Sequence, residues 1–267
     1  METKIKLYQP LFYSTLKEKI MNSTSISKPA RMDICEFSLN VKDPHSLSII
    51  PSPFCEWIIG YNKNNMKSSF YCLGSVSELT TIELKHYDYY IDIRFDDNVC
   101  YVNKLASSSA NSSGMRNQQF EYAPKPDSFE YTLLKEFKES TSFSDKVQYF
   151  TKFLLDSKRF CFIPEHVDDL YTKLKRSNGA ITVHELSEES GYSERHINRL
   201  ISNQFGYGPK DYCKYIRFQR VLNEMINSPD QSNSEFIQNI GYSDQAHFQR
   251  EFKLFMGMTP KQFIRLL

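Results

Sequence analysis

Between Ile34 and Val102 the apolar positions fall in short runs rich in β-branched and aromatic residues: Cys35 to Leu39, Cys55 to Tyr61, Phe70 to Leu73, Thr80 to Leu84 and Tyr89 to Phe95. These have strand length and strand composition. In the last run Tyr89, Ile91, Ile93 and Phe95 alternate with Tyr90, Asp92, Arg94 and Asp96, the period of two that predicts a half-buried strand. Ala106 to Gly114 is small and polar, and two prolines lie in Ala123 to Pro126, so a loop is expected there. The period then becomes helical, with Phe129, Leu133 and Phe137 in one stretch and Val147, Phe150 and Leu154 in the next, predicting a helical pair. Pro164 suits the first turn of a helix running toward Lys175, and the rest of the chain reads as helices joined by short turns. The pattern predicts an α+β protein: a strand-rich region over 1–126, the helical pair with a linker over 127–160, and an all-α domain over 161–267, the break falling near Ser157 to Ile163.

The helical region contains a repeat. Thr182-Val-His-Glu185 and Ser232-Asn-Ser-Glu235, 50 residues apart, both have the spacing of a capping box, in which the hydroxyl and the glutamate satisfy first-turn amides reciprocally. Six residues after each glutamate comes glycine, in Gly191-Tyr192-Ser193 and Gly241-Tyr242-Ser243. Glycine there permits the positive φ that ends one helix and turns the chain into the next. The offset then becomes 51, pairing His196 with His247, Arg199 with Arg250, Gly206 with Gly257 and Pro209 with Pro260. Two helix-turn-helix units are therefore expected, joined by a helix from Pro209 to about Asn227.

In each unit the second helix, capped by Ser193 or Asp244, is expected to enter the major groove of duplex DNA with its amino-terminal side chains toward the base edges. The outward positions are Arg195, Asn198 and Arg199 in the first unit and Gln245, Ala246, Gln249 and Arg250 in the second. Arginine can read guanine, and Asn or Gln can read adenine, through paired hydrogen bonds. Arg195, Asn198 and Gln245 could instead be ordinary solvated residues, and Arg199 and Arg250 could pair within the fold. A joining helix of about 19 residues spans about 28 Å, close to the roughly 34 Å between successive major-groove faces. Two adjacent grooves on one side of the duplex are thus within reach.

From about Ile163 to Leu267 the chain resembles the AraC/XylS family of bacterial transcription regulators. Gly241-Tyr-Ser-Asp-Gln-Ala-His-Phe-Gln-Arg-Glu-Phe-Lys253, followed by Gly257-Met-Thr-Pro260, is similar to the family's second-unit signature. The resemblance implies a sequence-specific regulator with a bipartite DNA-binding domain, RNA polymerase and a second copy of the chain as partners, and an amino-terminal cupin-like barrel that binds a small effector or mediates dimerisation. Four residues depart from the pattern: Ser190 stands where an apolar residue is usual, Ile201 where phenylalanine is usual, Ile237 where a small residue is usual, and Glu194 adds negative charge near the expected phosphates. The first unit is accordingly expected to bind DNA more weakly than the second.

Net charge is only +1, so no argument for nucleic acid comes from overall basicity. From Gly191 to Leu267, ten Lys and Arg face seven Asp and Glu, a modest local surplus. The six cysteines are scattered without a C-x-x-C pair, and His45 and His86 are isolated, which argues against zinc or a metal-dependent cupin. No cofactor is expected. No nucleophile–base motif or phosphate-binding glycine loop occurs, so an enzyme is not expected. The absence of a signal region or long apolar run leads to the expectation of a cytoplasmic protein with no membrane partner. In the strand-rich region Trp57, Tyr89 and neighbouring tyrosines could line an aromatic pocket, with Arg94 pairing an acidic effector; core packing and an ion pair are the alternative. Control by a protein partner at this domain, with no small ligand, is the competing functional reading.

Overall fold

The structure, a computed structural model, describes residues 20–26, 32–40, 46–95, 99–101, 116–156, 160–227 and 240–265. Its strands are β1 (Ile20–Ile26), β2 (Met32–Phe37), β3 (Ser46–Ile49), β4 (Cys55–Tyr61), β5 (Ser68–Leu73), β6 (Thr80–Glu83), β7 (Tyr89–Phe95), β8 (Val99–Tyr101), β9 (Gln119–Tyr122) and β10 (Phe160–Phe162). Its helices are α1 (Phe129–Glu139), α2 (Phe143–Asp156), α3 (Glu165–Arg176), α4 (Val183–Ser190), α5 (Glu194–Phe205), α6 (Pro209–Asn227), α7 (Gln245–Met256) and α8 (Pro260–Ile264). The α+β class expected from the sequence is the one observed, and one strand, β10, follows the helices α1 and α2 and pairs with β8.

Six strands form an antiparallel sheet in the order β1-β2-β7-β4-β5-β9. Alternation along each strand sends Ile34, Trp57, Ile59, Phe70, Ile91 and Ile93 to one face, where they pack against Leu133, Leu134, Phe137, Phe150 and Leu154 of the α1–α2 pair. The opposite face carries Cys35, Phe37, Ile58, Tyr71 and Tyr90 beneath the β3–β6 pair, which contributes Leu47, Ile49 and Ile82. Helices, sheet and strand pair thus make three layers around two cores.

The half-buried strand expected at Tyr89 to Phe95 is instead buried on both faces. Asp92 and Arg94 are each 2% exposed, because β7 is the third strand of six and both faces of the sheet are covered. Their burial is offset by pairing: an Arg94 Nη2 hydrogen donates to Glu56 Oε1 at 3.0 Å directly across the β4–β7 ladder and another to Asp92 Oδ2 at 3.3 Å. Two carboxylates share one guanidinium, and burial, together with the negative charge of Glu56, holds the Asp92 carboxyl well above the usual range.

A third core is built almost entirely from helices α3 to α8, with Leu186, Ile197, Phe218, Val221, Leu222 and Phe252 fully buried. Two of its members come from the other half of the chain: Ile50 and Phe54, in the segment between β3 and β4, are 0% and 3% exposed within it. Backbone carbonyls of the same segment accept hydrogen bonds from the helical domain, Pro53 from the Tyr207 hydroxyl and Pro51 from the Gln219 amide, both at 3.3 Å.

Candidate nucleic-acid interface

The first helix-turn-helix unit consists of α4 and α5. Thr182 and Glu185 form the capping box inferred from their spacing: Thr182 Oγ1 accepts from the Glu185 amide at 3.1 Å, and Glu185 Oε2 accepts from the Thr182 amide at 2.7 Å. Gly191 ends α4 with φ +72°, a conformation an L side chain would strain. Ser193 then caps α5 by accepting from the His196 amide at 3.3 Å. Ile197, Ile201 and Phe205, four residues apart, turn one face of α5 into the core, so the helical period puts Arg195, Asn198 and Arg199 on the opposite, exposed face. The Asn198 amide donates to the Glu194 carbonyl at 2.8 Å, and Arg199 Nη2 lies 3.1 Å from His196 Nδ1.

In the second unit α7 repeats this plan. Asp244 caps it by accepting from the His247 amide at 2.7 Å, and that bond with the Ser243 hydroxyl holds the Asp244 carboxyl below the usual carboxylate range. Phe248, Phe252 and Phe255 face inward, while Gln245, Ala246, Gln249 and Arg250 are exposed. All seven residues expected to face DNA therefore lie on the exposed sides of the two second helices, near amino termini whose unpaired amides favour phosphate oxygens. The capping box expected at Ser232 to Glu235, and the departure at Ile237, lie outside the described residues.

The repeat is not symmetric at its turns. Tyr242 is 3% exposed and its hydroxyl donates to Glu251 Oε1 at 2.8 Å, while the Arg217 guanidinium stands over its ring at 5.6 Å. Burial and the adjoining Glu251 carboxylate raise the Tyr242 hydroxyl pKa. Tyr192, its counterpart, is 36% exposed and leans on His196, and the position equivalent to Glu251 is Leu200. The Tyr242–Glu251 lock escaped the sequence reading, although a signal existed: Glu251 falls on the inward face defined by Phe248, Phe252 and Phe255. The departures in the first unit are accommodated locally. The Ser190 hydroxyl donates to the Leu186 carbonyl at 2.6 Å, Ile201 packs in the core, and the Glu194 carboxylate lies 3.2 Å from His184 Nδ1.

Trp57, Tyr89 and Arg94 are not brought together as one effector pocket. Trp57 lies at the centre of the sheet–helix core, edge-on to Phe70, Phe95, Phe150 and Phe153, whereas Arg94 points to the other face of the sheet and is held by Glu56 and Asp92. Tyr89 stacks on Tyr61 at 5.8 Å. A cleft of about 570 Å³ opens elsewhere in this domain, lined by Met66, Lys67, Ser69, Lys85, Tyr87 and Glu121 among others. Within it Lys85 pairs with Glu121 at 2.7 Å, and the buried Ser69 hydroxyl bonds both Glu121 and Tyr87. Among the described residues no group of His, Cys, Asp and Glu is placed to hold a metal ion, and no helix is long and apolar enough to cross a membrane.

A model of the helix-turn-helix domain family matches residues 186–266. A probable transcription factor, PqrA of Proteus vulgaris, is 31% identical over 96 residues, covering 35% of this chain and 75% of that protein. The chain belongs to the AraC family of transcription regulators. An HTH-type transcriptional regulator of Staphylococcus aureus is 30% identical over 83 residues, 31% of this chain, and the match covers only 11% of that longer protein. Among solved structures, ToxT from Vibrio cholerae aligns with a TM-score of 0.49 at 12% identity over 88% of this chain and 97% of that one. The carboxyl-terminal domain of AraT from Geobacillus stearothermophilus aligns with a TM-score of 0.36 at 21% identity, covering 39% of this chain and 87% of that one. Residues 186–266 of this chain are accordingly a helix-turn-helix domain.

Proposed function

We propose that the chain reads a bipartite DNA sequence with Arg195, Asn198 and Arg199 in one major groove and Gln245, Ala246, Gln249 and Arg250 in the next, under control of a small effector bound by the strand-rich domain. The observation that carries the DNA reading is the pair of capped, glycine-terminated second helices presenting equivalent polar faces to solvent. Gln245 and Ala246 in one unit and Arg195 in the other occupy the first turn, where side chains meet base edges. Selection from a random duplex library by the full chain at about 0.1 M salt tests this. A bipartite sequence should be enriched, and retention of duplexes without sequence preference would contradict it, salt being fixed because phosphate contacts are screened.

Effector control is supported by the cleft, whose size falls in the range of small-molecule sites and whose Lys67 and Lys85 stand against one carboxylate, Glu121, a surplus of positive charge that favours a ligand with an anionic group. Glu121, in the cleft, lies on β9, and the same segment runs directly back to Arg116, which touches the DNA-binding domain. Metabolite screening by thermal shift on the full chain is the direct test. A small acid that raises the midpoint in the wild type and not in a Lys85→Ala variant supports this site, and stabilisation only by another polypeptide supports the competing reading.

A further inference from the structure

The two second helices end at equivalent glycines, Gly206 and Gly257, and the strand-rich domain touches both. Arg116 Nη1 donates to the Gly206 carbonyl at 2.9 Å, and its Nη2 stands 4.0 Å from Asp211 at the start of the joining helix α6. At the other unit Leu79 packs so closely that a Cβ on Gly257 would lie 2.9 Å from Leu79 Cδ2. The segments that make these contacts are tied into one piece. The Asn117 amide donates to the Ser75 carbonyl at 2.8 Å, the Ser77 amide to Asn117 Oδ1 at 2.8 Å, and the Gly74 amide to the Gln118 carbonyl at 3.0 Å. Ser52 and Val76 exchange two backbone bonds of 2.9 Å, linking this piece to the segment that carries Phe54 into the helical core.

We propose that this piece is a template that fixes the separation and relative orientation of the two recognition helices, with Arg116 and Leu79 as positioning residues for DNA reading. The inference rests on the bipartite DNA reading above. The contacts fall at the carboxyl ends of α5 and α7, at the far end of each helix from Arg195 and Gln245, so they hold the units without covering the faces that meet bases. Within the helical domain the joining helix α6 meets both units through the shared core, Tyr215 lying against Tyr207 on one side and, with Phe218, against Phe255 of α7 on the other. The template adds one grip per unit, at the same position of the repeat. Rigid placement of two readers makes affinity depend sharply on the spacing of their targets, because the second contact then forms at high effective concentration only where the geometry fits.

The test uses the full chain and duplexes chosen by the wild type from a random library, re-synthesised with zero, one, two or three base pairs added or removed between the halves, and each half alone. Wild type, Arg116→Ala, Arg116→Lys and Leu79→Ala are compared. The wild type should show one preferred spacing. In Arg116→Ala the advantage of that spacing over its neighbours should shrink about tenfold, the scale of one charge-assisted hydrogen bond, while affinity for each isolated half stays within about twofold. Leu79→Ala should flatten the profile in the same way, and Arg116→Lys, which keeps a charge and a donor, should restore part of it. An unchanged spacing profile in Arg116→Ala and Leu79→Ala would overturn the template. So would tighter binding of either variant to every duplex, isolated halves included, which would make the contacts a restraint on binding. A wild type that selects no duplex at all removes the DNA reading itself, and the template with it.

Discussion

Replacing Phe54 by alanine should destabilise the helical domain although Phe54 belongs to the strand-rich half of the chain. Its ring is 3% exposed within the core made by α3 to α8. A buried aromatic side chain covers about 150–250 Å²; at about 25 cal/mol per Å², the part lost beyond Cβ is worth about 3 kcal/mol, at the lower end of the roughly 3–5 kcal/mol seen for Phe-to-Ala changes in cores. With a urea dependence of about 3 kcal/mol per M for a chain of this size, the unfolding midpoint should fall by about 1 M. Two signals locate the effect. Trp57, the single tryptophan, reports the sheet–helix core, whereas far-UV circular dichroism is dominated by the helices. The two transitions should coincide in the wild type. In Phe54→Ala the dichroism midpoint should fall by about 1 M and separate from the Trp57 transition. A dichroism midpoint that moves by less than about 0.2 M would refute the claim that this segment completes the helical core.

Two further outcomes follow from the buried charge cluster and the helix caps. Asp92 has a folded-state pKa raised by burial and by Glu56, so its contribution is full below the unfolded value of about 3.9 and is lost as pH rises through the folded one. Asp92→Asn should therefore gain thermal stability relative to the wild type with increasing pH above about 4, read at Trp57; a difference that stays flat to pH 8 contradicts this. Ser193→Ala removes the cap of α5 and should cost about 1 kcal/mol, lowering the thermal midpoint by roughly 2–4 °C and weakening binding to the half-site read by the first unit more than to the second. Equal loss at both halves would show that the cap does not act locally.

Of the strands read from the sequence, β4, β5 and β7 are buried on both sides, and β6, buried on one face, was marked by its β-branched residues. β4 and β7 match their apolar runs residue for residue, because a strand covered on two faces repeats apolar types densely. β1, with the sequence Ile-Met-Asn-Ser-Thr-Ser-Ile, is an exposed edge strand and carries no such pattern; β3 and β9 are four residues long, too short for a period to register. The burial of Asp92 and Arg94 was hidden for a different reason: local alternation reports polarity, whereas burial was decided by the β3–β6 pair that covers this face and made tolerable by a partner, Glu56, 38 residues from Arg94. The two second helices were legible because caps and glycine turns are local chemistry, repeated in order. The grip of the strand-rich domain on the first unit and the joining helix was not, since it runs through the carbonyls of Pro51, Pro53 and Gly206, which every residue type possesses, and the contact at the second unit is the lone Leu79 side chain against Gly257.

The central claim is that two equivalent helices read two halves of one DNA site, and the most direct measurement is a base-by-base affinity profile for the wild type, Arg195→Ala and Gln245→Ala on the selected duplex. The account predicts that each variant loses discrimination, by about 1–3 kcal/mol per base, at positions in one half only, the two sets lying about one helical turn apart. Uniform weakening across all positions in both variants, or loss in the same half for both, would contradict it.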